Sequence, residues 1–161
     1  LMEPVDWSYP PREPLCWVPT GSISGSFTTT WGSGGWDFLN QVGKIDHDLA
    51  LLDNLGNIAA NAREGAGATE DQAIVELIGN ALDGGFIVIF LFGDPEYVQS
   101  GMSVPIDWLS FSGAIGRLEI LDLEFDLIGI LVDGGLEFEQ ASTYPGDLVV
   151  GSFYADVIEP P

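Results

Sequence analysis

Polar and apolar residues alternate along the stretch SISGSFTTTW, residues 22–31. Ile23, Phe27 and Trp31 fall on one side of an extended chain, and every serine of the stretch falls on the other. Successive side chains of a β-strand point to opposite faces, so this period of two predicts a strand with one buried and one solvated face. The Gly-Ser-Phe triplet at the centre of the stretch recurs at residues 151–153, which predicts that the first and last strands occupy similar environments and pair.

A second alternating stretch, EILDLEFDLIGILVDGGLEFEQ, covers residues 119–140. Its first half carries acids on one side and large apolar groups on the other. A two-residue turn at Gly134-Gly135 predicts that the stretch folds into a hairpin. In that register the acidic side continues as an apolar half-face made of Ile128, Ile130 and Val132. An apolar half-face must be covered, so we expect another segment of chain to pack on it.

Residues 69–83 carry the signals of an α-helix. Thr69 and Gln72 form a capping box, apolar residues recur with helical spacing, and a double glycine ends the pattern. The run FIVIFLF that follows has no alternation and predicts a strand that is apolar on both faces. Residues 45–62 are compatible with a helix or with strands, and strands are favoured.

The first 19 residues contain half of the chain's 10 prolines. Proline fixes φ and extends the residue before it, so residues 1–19 are predicted to form an extended arm. The arm carries large apolar side chains that a solvated tail has no reason to expose: Val5, Trp7, Tyr9, Leu15 and Trp17. Residues 20–161 are long enough for one domain. Short strands, turn signals and one capped helix predict a mainly antiparallel β-sandwich or jelly-roll-like domain with a single helix.

The charge balance excludes two classes of partner. The chain has 25 acidic residues against 4 basic ones, a net charge of −21. Such a surface repels nucleic acid and anionic membrane surfaces, and no apolar run approaches the roughly 18 residues of a membrane span. The same field attracts divalent cations and keeps copies of the chain apart until ions screen them.

Acidic residues offer two candidate cation sites. Asp122, Glu124 and Asp126 share one strand face about 7 Å apart, so two carboxylates can lean on one calcium ion if loops complete its about six to eight oxygens. The alternative, which we favour, is that these acids are the solvated face of a sheet. Asp46 and Asp48 form a second acidic cluster, but the residues after them do not follow the EF-hand pattern.

The sequence selects no catalytic group. Cys16 has no second cysteine with which to form a disulfide, and His47 is the single histidine. The many carboxylates cannot be resolved into a catalytic pair, and there is no nucleophile elbow, phosphate loop or dinucleotide fingerprint. We therefore expect a protein that is not an enzyme. Trp36, in a glycine-rich loop, is the candidate for an exposed ring on which a sugar could stack.

The C-terminal stretch GGLEFEQASTYPGDLVVGSFYADV resembles the closing hairpin of many uncharacterised secreted or lipoprotein-like β domains of Gram-negative bacteria. The resemblance implies a surface or periplasmic β-sandwich and transfers no catalytic residue. Scarce lysine, abundant Gly, Ser, Thr and Trp, and a first residue other than Met favour an exported, extracellular or cell-surface chain whose signal peptide has been removed.

These observations lead to three functional hypotheses. The favoured one is a structural subunit of a cell-surface or extracellular filament, tube or coat. In it, the arm of one copy buries its aromatic residues against the apolar half-face of another copy, with divalent cations screening the repulsion. The alternative is a β-sandwich module that binds a polysaccharide or calcium. A glycoside-acting enzyme is the least favoured.

Overall fold

The structure, a computed structural model, describes residues 18–32, 42–49, 52, 58–65, 72–81, 84–108, 113–121 and 126–159. These residues form nine β-strands, with a turn of 3-10 helix at Pro95–Tyr97. The strands are β1 Gly21–Thr30, β2 Val42–His47, β3 Ile58–Glu64, β4 Ala73–Ala81, β5 Gly84–Phe92, β6 Ser103–Ile106, β7 Ala114–Leu121, β8 Leu127–Gln140 and β9 Leu148–Ile158.

The strands form one sheet that closes on itself, in the order β1-β2-β3-β4-β5-β7-β6-β8-β9. Neighbours in this order pair antiparallel except β6 and β7, and β9 pairs back to β1. The expectation of a mainly antiparallel β fold is confirmed. The β-sandwich is not, because the described sheet curves round its own core instead of packing against a second sheet.

The predicted pairing of the first and last strands is confirmed. β1 and β9 pair antiparallel along their length, and the two Gly-Ser-Phe triplets lie opposite each other, with Gly25 facing Phe153 and Phe27 facing Gly151. The alternation holds on both strands, because Phe27 and Phe153 are buried while the serine between glycine and phenylalanine is exposed on each. This register gives β1 and β9 one apolar inner face and one polar outer face.

The enclosed core is dominated by aromatic rings. Phe90 packs on Phe153 with ring centroids 4.8 Å apart, and Phe138 lies between Phe27 and Phe92 at 6.2 and 5.6 Å. β5 supplies four inward side chains in alternation: Phe86, Val88, Phe90 and Phe92. Its other side is formed by isoleucines and a leucine, as the unbroken apolar run predicted.

The predicted helix over residues 69–83 is wrong, since residues 73–81 are strand β4. β4 pairs with β5 from Ala73 to Ala81 and with β3 on its other side. Its sequence, AIVELIGNA, places apolar residues at nearly every position, so it satisfies a helical stripe and a strand that is apolar on both faces equally well. Hydrogen bonding to two neighbouring strands decides between them, and propensity and capping signals are overridden. The preference for strands within residues 45–62 is confirmed at its two ends by β2 and β3.

The predicted hairpin turn at Gly134-Gly135 is also wrong. β8 runs through both glycines and pairs with β6 on one side and β9 on the other. The strand instead bulges before Gly135, where Asp133 adopts a positive φ of 51°. Glycine is required next to it, because a Cβ on Gly134 would be 2.6 Å from the Cβ of Ala155. The double glycine therefore marks a close approach of β8 and β9, not a reversal of the chain.

A second irregularity, opposite Leu118 and Glu119 of β7, corrects the predicted half-face. It places Ile128 on the inner side, where it packs against the main core, while Ile130 and Val132 point outward. These two form a small outer cluster with Trp108 and Ile158, and all four are buried. One extra residue in a strand reverses the faces of everything beyond it, so the alternation alone misplaced Ile128.

Candidate binding surface on the outer face

A row of small polar side chains crosses four strands on the outer face of the sheet. Ser26 of β1 lies opposite Ser152 of β9, Ser152 opposite Glu137 of β8, and Glu137 opposite Ser103 of β6. All four are exposed. They share a face because each neighbours an inward apolar residue in the strand alternation. The row places three hydroxyls and one carboxylate across a span of about 15 Å, at the usual separation of roughly 4.8 Å between strands.

The row lies in a surface depression of about 760 Å³. Residues of β1, β8 and β9 line it together with the Gly101–Ser103 segment, which is held against β8 by hydrogen bonds in both directions between Phe138 and its neighbours Gly101 and Met102. A second depression of about 270 Å³ adjoins it and shares Ser103 and Glu137. The two form one continuous groove, which we call the outer groove.

Tyr154 stands at the end of the outer groove with 62% of its surface exposed. It faces Gly135 across the β8–β9 ladder, and a Cβ on Gly135 would be 3.5 Å from Tyr154 Cε1. The ring therefore lies over the backbone of Gly135, in the room that the missing side chain leaves. An aromatic ring supported from below and open to solvent above is a flat apolar platform with a hydroxyl at its rim.

The outer groove presents hydroxyl groups and carboxylates for hydrogen bonding. Its lining includes Glu137 and Glu139 as acceptors and four serine or threonine hydroxyls, which both donate and accept. Among the residues that the structure describes, no lysine or arginine lines either depression. A ligand with many hydroxyls and one apolar face fits this set of groups, and a ligand with negative charge does not.

Of the five carboxylates predicted to bind a cation, the structure describes three. Asp122 and Glu124 lie outside the described residues, and Asp126 is exposed. Asp46 pairs with Lys44 at 3.6 Å, while Asp48 accepts the Ser22 N–H at 2.6 Å and so anchors the start of β1. In the part of the chain that the structure describes, no three His, Cys, Asp or Glu side chains are grouped to hold a metal ion. Calcium binding stays a prediction.

Both ring nitrogens of His47 form hydrogen bonds with backbone groups of the residues that follow it. Its Nδ1 accepts the Leu49 N–H at 2.9 Å, which places the ring proton on Nε2, where it donates to the Leu52 carbonyl at 2.7 Å. Two buried carboxylates, Glu76 and Glu119, are each paired with an arginine, Arg63 and Arg117. All of these groups have a structural partner, and the expectation that the protein is not an enzyme stays a prediction.

The aromatic residues considered in the sequence as ligand or assembly contacts are either buried in the fold or outside the residues that the structure describes. Trp31 and Trp108 are buried, whereas Trp36 and the predicted arm residues Val5, Trp7, Tyr9, Leu15 and Trp17 lie outside the described residues. Sequence reasoning missed Tyr154. The signal was present: in VGSFYADV the large ring of Tyr154 occupies a position that alternation assigns to the polar face.

Comparison of the chain with family models, with curated proteins and with solved structures gives no match. The resemblance of the C-terminal stretch to secreted β domains stays a prediction. Within the described residues, no helix has the length and apolar character needed to cross a membrane.

Proposed function

We propose that this protein is a non-enzymatic β domain that binds a neutral oligosaccharide along the outer groove. The observation that carries the proposal is the solvent-exposed ring of Tyr154, seated over Gly135 beside Glu137 and Ser103. A sugar ring presents C–H groups on its faces and hydroxyls round its edge. It can therefore stack on a tyrosine while its edge meets acceptors and hydroxyls on the same surface.

The charge of the chain narrows the class of sugar. With a net charge of −21, the surface disfavours glycans that carry sulfate, phosphate or uronate groups. The carboxylates of Glu137 and Glu139 accept hydrogen bonds from neutral hydroxyls without such a penalty. The row of side chains in the groove is exposed to solvent, so we expect dissociation constants of about 10 µM to 1 mM, equivalent to about −4 to −7 kcal/mol.

An array of neutral and anionic oligosaccharides, followed by calorimetry on the hits, tests this proposal. We expect binding to one family of neutral glycans, little dependence on salt, and no binding to sulfated or uronate-rich glycans. The absence of binding to any neutral glycan at millimolar concentration would overturn the proposal. Binding that requires added calcium would instead favour a metal-dependent module.

Assembly through the N-terminal arm is a second proposal. The arm's residues 1–17 lie outside the residues that the structure describes. The outward part of its expected receptor, Ile130 and Val132, is already buried beneath Trp108 and Ile158 of the same chain. Because both side chains are buried, a neighbouring copy's arm would have to open this cluster to reach them. Sedimentation of the protein with and without calcium tests self-association, and export to the cell surface stays a prediction.

A further inference from the structure

The outer face of β4, β5 and β7 carries rows of apolar side chains beside two ion pairs, unlike the polar outer face of β1 and β9. Ile74, Leu91 and Ile115 lie in one row across the three strands. Ile78 and Ile87 lie in a parallel row, four residues further along β4. All five alternate with side chains that point into the core, so they face outward. We call this surface the apolar outer face.

Two of the five side chains on the apolar outer face have little contact with solvent, and the other three are half-buried. Ile74 is 5% exposed and Ile87 is 8% exposed, yet neither belongs to the two apolar clusters that the described residues form. Isoleucines on an open sheet face normally leave a larger fraction of their surface in water. Their burial is therefore unusual for a sheet face that no described strand covers.

The apolar outer face is also close to neutral in a strongly acidic protein. Arg63 donates to Glu76 at 2.9 Å and Arg117 lies 2.8 Å from Glu119, so two of the chain's four cations are matched by two acids on this face. An acidic segment is repelled less here than elsewhere on a surface of net charge −21.

One donor on the face lacks an acceptor. Among the described residues, the Nε–H of Arg117 is buried and has no hydrogen-bond partner. The Arg117 guanidinium also lies 5.8 Å from the ring of Trp108. A buried donor without a partner costs about 1–3 kcal/mol, so an acceptor arriving at this point would stabilise the fold.

We propose that residues 1–17 lie across the apolar outer face of their own molecule. The described chain begins beside this region: the Thr20 N–H donates to the Val157 carbonyl at 2.8 Å, and Thr20 Oγ1 donates to Glu159 at 2.7 Å. Only β9 and β8 separate this point from β7, where Arg117 faces Ile130 of β8. A proline-rich segment of that length reaches roughly 50 Å, enough to cross the neighbouring strands at about 4.8 Å each.

The chemistry of the segment matches the face. It carries Trp7, Tyr9 and Trp17 for the isoleucine rows, and its spacing of prolines favours a polyproline conformation. In that conformation the backbone makes no internal hydrogen bonds, so its carbonyls can accept from a donor such as Arg117 Nε. This inference does not depend on the proposed function.

Trypsin cleavage after Arg12 tests the proposal, because Arg12 is the one tryptic site within residues 1–17. We expect the Arg12–Glu13 bond of the intact protein to be cut at least about 10-fold more slowly than the same bond in a synthetic peptide of residues 1–17. Mass spectrometry follows the bond without interference from the other sites. Equal rates in the protein and the peptide would overturn the proposal.

A pair of variants locates the covered surface. Leu91→Glu adds a charge to the apolar outer face and is expected to speed cleavage after Arg12 several-fold. Ser152→Glu adds the same charge to the polar face and is expected to leave the rate unchanged. Circular dichroism confirms that both variants fold. If Leu91→Glu does not fold, Ile115→Ser replaces it, with Ser26→Ala as the control. Equal cleavage rates in a folded variant and its control would overturn the placement.

The dependence on protein concentration separates a segment covering its own domain from one exchanged between copies. Protection within one molecule is expected to be the same at nanomolar and at high micromolar concentration, with a monomer in sedimentation at both. Protection that disappears on dilution together with an oligomer would overturn the intramolecular proposal and support assembly through the arm.

Discussion

The ring of Phe153 fills the space that a side chain on Gly25 would need. A Cβ on Gly25 would lie 2.7 Å from Phe153 Cε1, closer than real Cβ atoms approach a ring carbon. The relationship is repeated with the strands exchanged, since a Cβ on Gly151 would lie 2.7 Å from Phe27 Cζ. The two Gly-Ser-Phe triplets therefore pack reciprocally, each glycine making room for the phenylalanine of the opposite strand.

Gly25→Ala and Gly151→Ala should each lower the free energy of unfolding by about 1–3 kcal/mol through overpacking, because backbone carbonyl groups also crowd both positions. Each kcal/mol corresponds to a fall in Tm of about 2–4 °C in a chain of this size. Gly93→Ala is the matched control, since a Cβ there meets nothing within 4 Å. Thermal denaturation of the three variants checks the prediction, and equal losses in all of them would contradict it.

The recurring triplet shows what the sequence could predict and where it could not. Alternation identified β1 and β9, and the repeat identified their pairing, because both depend on local period and on a glycine beside a large ring. Residues 73–81 were misassigned because an apolar residue at nearly every position fits both periods. Ile128 was misplaced because a bulge depends on the register of two strands that are distant in sequence.

The pair formed by Arg63 and Glu76 should contribute measurably to stability. Glu76 is 7% exposed, so replacing Arg63 leaves a nearly buried carboxylate without its cation. Because the Arg63 side chain is itself about a third exposed, Arg63→Met should cost only about 1–3 kcal/mol of unfolding free energy. The double variant Arg63→Met with Glu76→Leu should recover most of the loss, because it removes the buried charge.

A double-mutant cycle in urea measures this coupling. Lys44→Met is the control for removing a cation, since Lys44 and Asp46 are both largely exposed and their pair should contribute little. If Lys44→Met costs as much as Arg63→Met, the loss of stability reflects the net charge of the chain and not the buried pair.

His47 should act as a structural link between β2 and the two buried leucines that follow it. Its ring accepts from the Leu49 N–H and donates to the Leu52 carbonyl, and both leucines are buried. His47→Ala should lower the free energy of unfolding by about 1–3 kcal/mol and speed hydrogen exchange of the Leu49 amide. Unchanged exchange at Leu49 would contradict this role, whatever the change in overall stability.

The candidate site was less predictable than the fold. The outer groove draws its row of side chains from β1, β6, β8 and β9, so no short motif contains it. Tyr154 could be recognised only as an aromatic residue on the polar side of a strand, and its support depends on Gly135, about 20 residues away in the chain. The sequence could predict a polar face, but not which part of it forms a groove.

Tyr154 should contribute most to binding in the outer groove. If a sugar ring stacks on it, Tyr154→Ala should weaken the binding of a neutral oligosaccharide at least about 10-fold, which corresponds to about 1.4 kcal/mol. Tyr154→Phe should weaken it less, since the platform remains and only the hydroxyl is lost. Tyr144 is 72% exposed but lines neither depression, so Tyr144→Ala is the matched control and should bind as the original protein does. Calorimetry measures all four proteins, and a Tyr154→Ala affinity equal to that of Tyr144→Ala would place the ligand elsewhere.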